Sequence, residues 1–159
     1  DDEVDFLSSI HRALRKEPYQ VLVADNGPEA LQVLKRKKVS LVISDYMMPE
    51  MDGLSLIKQI QTDYPGTLTI MLTALSEIDL AMRAINEAGV YKFILKPVEI
   101  NTLRVTLQRA LESLDLMSER EGLLQKIKHR DAILQELERQ NPGITNVERD
   151  ADGNLLSLE

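Results

Sequence analysis

Apolar positions recur along the chain in two alternating rhythms. Val4, Leu7, Ile10 and Leu14 step at helical spacing, and Lys16 and Pro18 follow them. That spacing predicts an amphipathic helix with its apolar face inward. Residues 21–24 are a short apolar run that reads as a buried strand. Asn26-Gly27-Pro28-Glu29 signals a helix start, and Ala30, Leu31, Val33 and Leu34 give that helix a buried face. The basic run 35–38 complements its C-terminal dipole. Leu41, Val42 and Ile43 predict a second strand, which delivers Asp45 to its carboxyl end. A loop with Pro49 follows, then a helix from about Gly53 to Asp63 with Leu54, Ile57 and Ile60 inward. Tyr64-Pro65-Gly66 is a turn, and 68–72 is a strand that ends at Thr73. Ile78, Met82 and Ile85 line a further helix that stops at Gly89. Residues 91–95 are a strand ending at Lys96-Pro97, and a last helix starts near Glu99. Strands alternating with helices predict βαβ units and a parallel sheet covered on both faces.

The last helix runs past the point where a small domain should end. Leu103, Leu107, Ala110, Leu114 and Met117 step by four and three. After a phase shift across Arg120, Glu121 and Gly122, Leu123, Ile127, Leu134 and Leu137 take up the same steps, with Arg130 on the seam. The pattern predicts a helix of about 40 residues, far beyond the globular average. A narrow apolar stripe needs a partner helix, and a parallel two-stranded coiled coil is the simplest source. The alternative is a helix that turns at Gly122 and folds back on its own domain. Asn141-Pro142-Gly143 breaks the helix. The tail beyond reads as a hairpin or the opening of a further domain. Asp150, Asp152 and Asn154 resemble a calcium loop only faintly: the glycine is misplaced and no Glu stands at the required distance, so a solvated turn is expected. The expected division is a domain over 1–115, a helical extension over 116–140 and a tail over 141–159.

Composition narrows the classes. The chain has 159 residues, 43% of them hydrophobic, which suffices for a sizeable core. It carries 19 basic and 26 acidic side chains, a net charge of −7. That balance disfavours nonspecific binding to nucleic acid or anionic lipid. Aromatic residues make up 4%, too few for a platform that stacks single-stranded bases. Without cysteine there is neither a disulfide framework nor a thiolate metal site. No apolar run approaches the roughly 20 residues that span a bilayer. A cytoplasmic protein is expected, with no membrane partner and no nucleic-acid partner within this chain.

The candidate chemistry lies at strand ends. Asp45, Thr73 and Lys96 each close a strand, and Asp1-Asp2 precede the first helix. In a parallel sheet these share one edge, outside which ligands bind in open α/β folds. A lone Asp would be read as a turn cap; the company of the others changes that. The carboxylates make a hard oxygen site suited to Mg²⁺. The hydroxyl and the ammonium can hold phosphoryl oxygens, and a central carboxylate can attack phosphorus.

Asp1-Asp2, Asp45 with Met48-Pro49 and Asp52-Gly53, Thr73-Ala74 and Lys96-Pro97 together resemble the receiver domain of two-component response regulators. The match covers roughly residues 1–115. It implies a flavodoxin-like, doubly wound, five-stranded parallel sheet of order 2-1-3-4-5. The family places the first and central strand immediately before the acidic pair. This chain opens at Asp1, so that strand is expected to be missing and the core correspondingly open. The resemblance implies that Asp45 accepts a phosphoryl group from a sensor histidine kinase or phosphotransfer protein. It implies Mg²⁺ held by Asp2 and Asp45, by the Met47 carbonyl, and by Asp1 through water. Lys96 would pair with Asp45 and then with the phosphoryl group, and Thr73 would swing toward it. Phe93 stands at the position of the family's rotating aromatic; lacking a hydroxyl, it would switch by packing alone. Met47 and Leu75 stand two residues after Asp45 and Thr73, and neither can orient a hydrolytic water, so a long-lived phosphate is expected.

The chain is thus expected to be a phosphorelay receiver that signals through its long helix by dimerisation. It would catalyse nothing beyond its own phosphorylation, with any output domain lying past Glu159. The alternative is a dimeric scaffold with an unused phosphorylation site. A haloacid dehalogenase-type phosphatase would need a second Asp where Met47 stands.

Overall fold

The computed structural model describes residues 1–77 and 89–143. Its elements are α1 (Val4–Leu14), α2 (Gly27–Arg36), β1 (Leu41–Asp45), α3 (Gly53–Asp63), β2 (Leu68–Thr73), a 3₁₀ turn (Leu75–Glu77), β3 (Lys92–Leu95) and α4 (Ile100–Gln140). Among the described residues the sheet has three parallel strands in the order β1-β2-β3. Leu41 pairs with Leu68 and Asp45 with Leu72, and Thr73 pairs with Leu95. The helix expected around Ile78, Met82 and Ile85 lies outside the described residues, as does the tail with its expected hairpin.

β2 is the middle strand, and its side chains alternate between two buried layers. Ile70 and Leu72 meet Leu14 of α1, Ile94 of β3, and Leu103, Leu107 and Ala110 of α4. Met71 faces the other way, against Ile57 of α3 and Val90. A neighbouring cluster joins Leu34 of α2 to Leu56 and Ile60 of α3, over Val42. Helices therefore cover both faces of the sheet, as strand–helix alternation predicts. Two helices start on side-chain caps. The Asn26 side chain accepts from the Glu29 amide while Glu29 accepts from the Asp25 amide, at 2.8 Å each, and Asp52 accepts from the Ser55 amide at 2.7 Å. Such caps supply acceptors for amides that have no partner in the first turn.

Three expectations need correction. Residues 21–24 are not a strand: they join no ladder, and Leu22 and Val23 are exposed. A strand exists only where a neighbour accepts its hydrogen bonds, and none of the described residues pairs with this run. Between this stretch and β1 lies an apolar cleft of about 400 Å³, walled by Val21, Leu34, Leu41, Ile43, Leu72 and Leu103 among others. Consequently Leu41, Val42 and Ile43 are only half-buried. Second, Ile10 and Leu14 of α1 turn inward as expected and Leu7 is half-buried, but Val4 is exposed and Phe6 joins the inward face. Either Val4 or Phe6 fits a helical period with Ile10 and Leu14, and contact with the core selects Phe6. Third, β3 begins at Lys92, with Tyr91 exposed before it.

The chain divides into two compact units, Asp1–Leu114 and Asp115–Glu159. α4 runs unbroken for 41 residues, about 60 Å at 1.5 Å per residue. Its residues Leu103, Thr106, Leu107 and Ala110 are buried in the first unit. No helix among the described residues is long and apolar enough to cross a membrane.

Candidate functional site

Parallel pairing brings the carboxyl ends of the three strands side by side. Asp45 ends β1, and Thr73 ends β2 next to it. Lys96 follows β3 directly and its amide donates to the Thr73 carbonyl at 2.8 Å. The Lys96-Pro97 bond is cis. Asp45 is 7% exposed and Thr73 is fully buried. One Asp45 oxygen, Oδ1, accepts from the Tyr46 amide at 2.8 Å; the other, Oδ2, accepts from Lys96 Nζ at 2.9 Å. The carboxylate is thereby held in one orientation by two donors on opposite oxygens.

The acidic pair arrives from the opposite end of the sequence. Asp1 Oδ1 accepts from the Glu3 amide at 2.9 Å, and its Oδ2 accepts from Lys96 Nζ at 3.0 Å. Carboxylate oxygens of Asp1, Asp2 and Asp45 all lie within 4.8 Å of one another. An all-carboxylate donor set at that spacing fits a hard divalent ion such as Mg²⁺, which completes its shell with water and phosphate. Asp1, Asp2 and Asp45 are the side chains that would hold it. Met47, whose carbonyl is the further expected ligand, has an exposed side chain, and so does Leu75.

Lys96 has partners that the sequence reading passed over. Glu3 Oε1 lies 3.4 Å from its Nζ, and the Phe6 ring centroid lies 5.2 Å away. Three carboxylates and an aromatic face thus surround one ammonium. Glu3 was visible as the third acid of the opening triplet. Phe6 could be found only once the face of α1 was known. Phe93 is half-buried in the cluster with Met71, Ile57 and Tyr46.

The loop after β1 is tightly folded against the site. The Gly53 amide donates to the Tyr46 carbonyl at 2.8 Å, and the buried Ser44 hydroxyl donates to the Asp45 carbonyl at 2.9 Å. A Cβ on Gly53 would collide with that same Asp45 carbonyl oxygen. Glycine is therefore required here by close backbone approach.

Residues 1–108 match the family described as the response regulator receiver domain. The chain is 43% identical over 112 residues to the transcriptional regulatory protein GlrR of Escherichia coli K12; the aligned stretch covers 70% of this chain and 25% of that protein. It therefore spans about a quarter of the length of that curated relative. A solved structure of adenylate cyclase from Rhodopirellula baltica superposes with a TM-score of 0.75 at 30% identity, covering 79% of this chain and 93% of that one. The receiver domain of NtrX from Brucella abortus superposes with a TM-score of 0.66 at 31% identity, covering 70% and 94%. The chain belongs to the response regulator receiver family.

Proposed function

We propose that this chain is a phosphorelay receiver in which Asp45 accepts a phosphoryl group from the phosphohistidine of a sensor kinase or phosphotransfer protein. The observation that carries the reading is the Asp45 carboxylate at the sheet edge, oriented by Lys96 and ringed by two further carboxylates. In the reaction an Asp45 oxygen forms a bond to phosphorus as the histidine N–P bond breaks, and the ring nitrogen keeps the electron pair. Bound Mg²⁺ would neutralise charge on the phosphoryl oxygens. Lys96 moves from the free carboxylate to the incoming phosphoryl oxygen, and the Thr73 hydroxyl donates to another. Phe93 repacks when Thr73 moves. The expected division at about residue 115 separates this switch from the helical extension, through which the signal passes by dimerisation. The chain carries no further catalytic step and works in the cytoplasm. Relatives and neighbours of differing names, a transcriptional regulator and an adenylate cyclase, leave the output open.

The test is intact mass after incubation with acetyl phosphate and Mg²⁺, with light scattering on the same samples. One phosphoryl adduct is expected, absent in Asp45→Ala, together with a change in oligomeric mass. A second reading is a dimeric scaffold with an unused site. No adduct and no binding of beryllofluoride with Mg²⁺ would favour it.

A further inference from the structure

The second half of α4 carries an apolar face that lies open. Leu116, Met117, Leu123, Leu124, Ile127, Ile133, Leu134 and Leu137 are between 39% and 68% exposed. Their spacing follows one unbroken heptad frame. Leu116, Leu123, Arg130 and Leu137 fall at d, seven apart, and Arg120, Ile127 and Leu134 fall at a. Two of these seven core positions are arginines, which sit badly in an apolar seam unless acids meet them.

We propose that two copies of this helix pair in parallel and in register, aligned by those arginines. This rests on the dimerisation reading above and adds its register and the charges that fix it. In a parallel in-register pair an a side chain packs beside the partner's preceding g residue, and a d side chain beside the partner's following e residue. Arg120 then meets the partner's Glu119, and Arg130 meets the partner's Asp131. The flanking g-to-e′ contact joins Lys126 to the partner's Asp131, five residues on. Within one chain Arg130 already lies 3.3 Å from Asp131 on the exposed face, so the guanidinium reaches that carboxylate with little rearrangement. An antiparallel pair brings e to e′ and g to g′ on opposite sides of the seam and so separates Lys126 from Asp131. A slip of one heptad moves Arg120 from Glu119 to Lys126. Charge complementarity therefore selects one alignment, in which both copies present residue 140 at the same end.

The chain has no cysteine, so single-cysteine variants report the alignment directly. Leu116→Cys and Leu137→Cys are both expected to form disulfide-linked dimers on mild oxidation, while Gln125→Cys, on the outer face, does not. In an antiparallel pair a residue meets its own copy only at the midpoint of the overlap, so at most one of the two could link. Light scattering on the unaltered chain separates the failures. A monomer overturns the dimer reading and this proposal with it. A dimer in which one or neither end links overturns the parallel alignment alone, and linkage at Gln125→Cys as fast as at the core sites overturns the heptad frame. Asp131→Lys, which sets a cation beside Arg130 and Lys126, should weaken the dimer at least tenfold; unchanged affinity overturns the charge argument.

Discussion

Asp45, the proposed phosphoryl acceptor, shows how closely a carboxylate can be held by its donors. The Tyr46 amide and Lys96 fix its two oxygens, while Asp1 and Asp2 crowd it with negative charge. Met47 and Leu75 lie exposed two residues beyond Asp45 and Thr73, and neither side chain can hydrogen-bond an attacking water. The phosphorylated protein should therefore lose its label slowly. Mass spectra taken over time after removal of the donor should show an adduct that outlasts seconds, and Met47→Asn, which supplies a polar group, should shorten its life. A half-life of seconds in the unaltered chain would sink the idea. Asp45, Thr73 and Lys96 were legible in the sequence, because strand ends in a parallel sheet fall on one edge, whereas Glu3 beside Lys96 was passed over. The Phe6 ring near Lys96 was not legible, because either of two helical faces could have turned inward.

At the level of elements, caps and close approaches decide more than propensity. Asp52 caps α3 through the Ser55 amide; Asp52→Ala should cost about 1 kcal/mol in urea unfolding. Gly53, one residue on, has no room for a methyl group against the Asp45 carbonyl. Gly53→Ala should destabilise by about 3 kcal/mol and lower the rate of phosphorylation, since the backbone that must shift carries the acceptor. A stable, fully active Gly53→Ala protein would contradict this. Helix starts and the strands β1 and β2 were legible from Gly, Pro, Asn and Asp at the boundaries. The stretch 21–24 misled because its composition matches a buried strand, whereas strand formation depends on a pairing partner that no local pattern encodes.

For the molecule as a whole, the 41-residue α4 is the feature read most directly. The helix continues through Gly122 without a break, although its apolar stepping shifts phase there. Its apolar side chains change role along its length, from buried at Leu103 and Leu107 to exposed from Leu116 onward. The apolar cleft beside β1 has a consequence for handling this chain. Its wall is apolar and reachable from solvent, and Leu22 and Val23 beside it are exposed. Such a surface is adhesive. A fluorescent naphthalene sulfonate dye should brighten on the native chain without denaturant, and concentrated solutions should scatter more light with time. A dark dye and a steady baseline would mean that the cleft closes in solution.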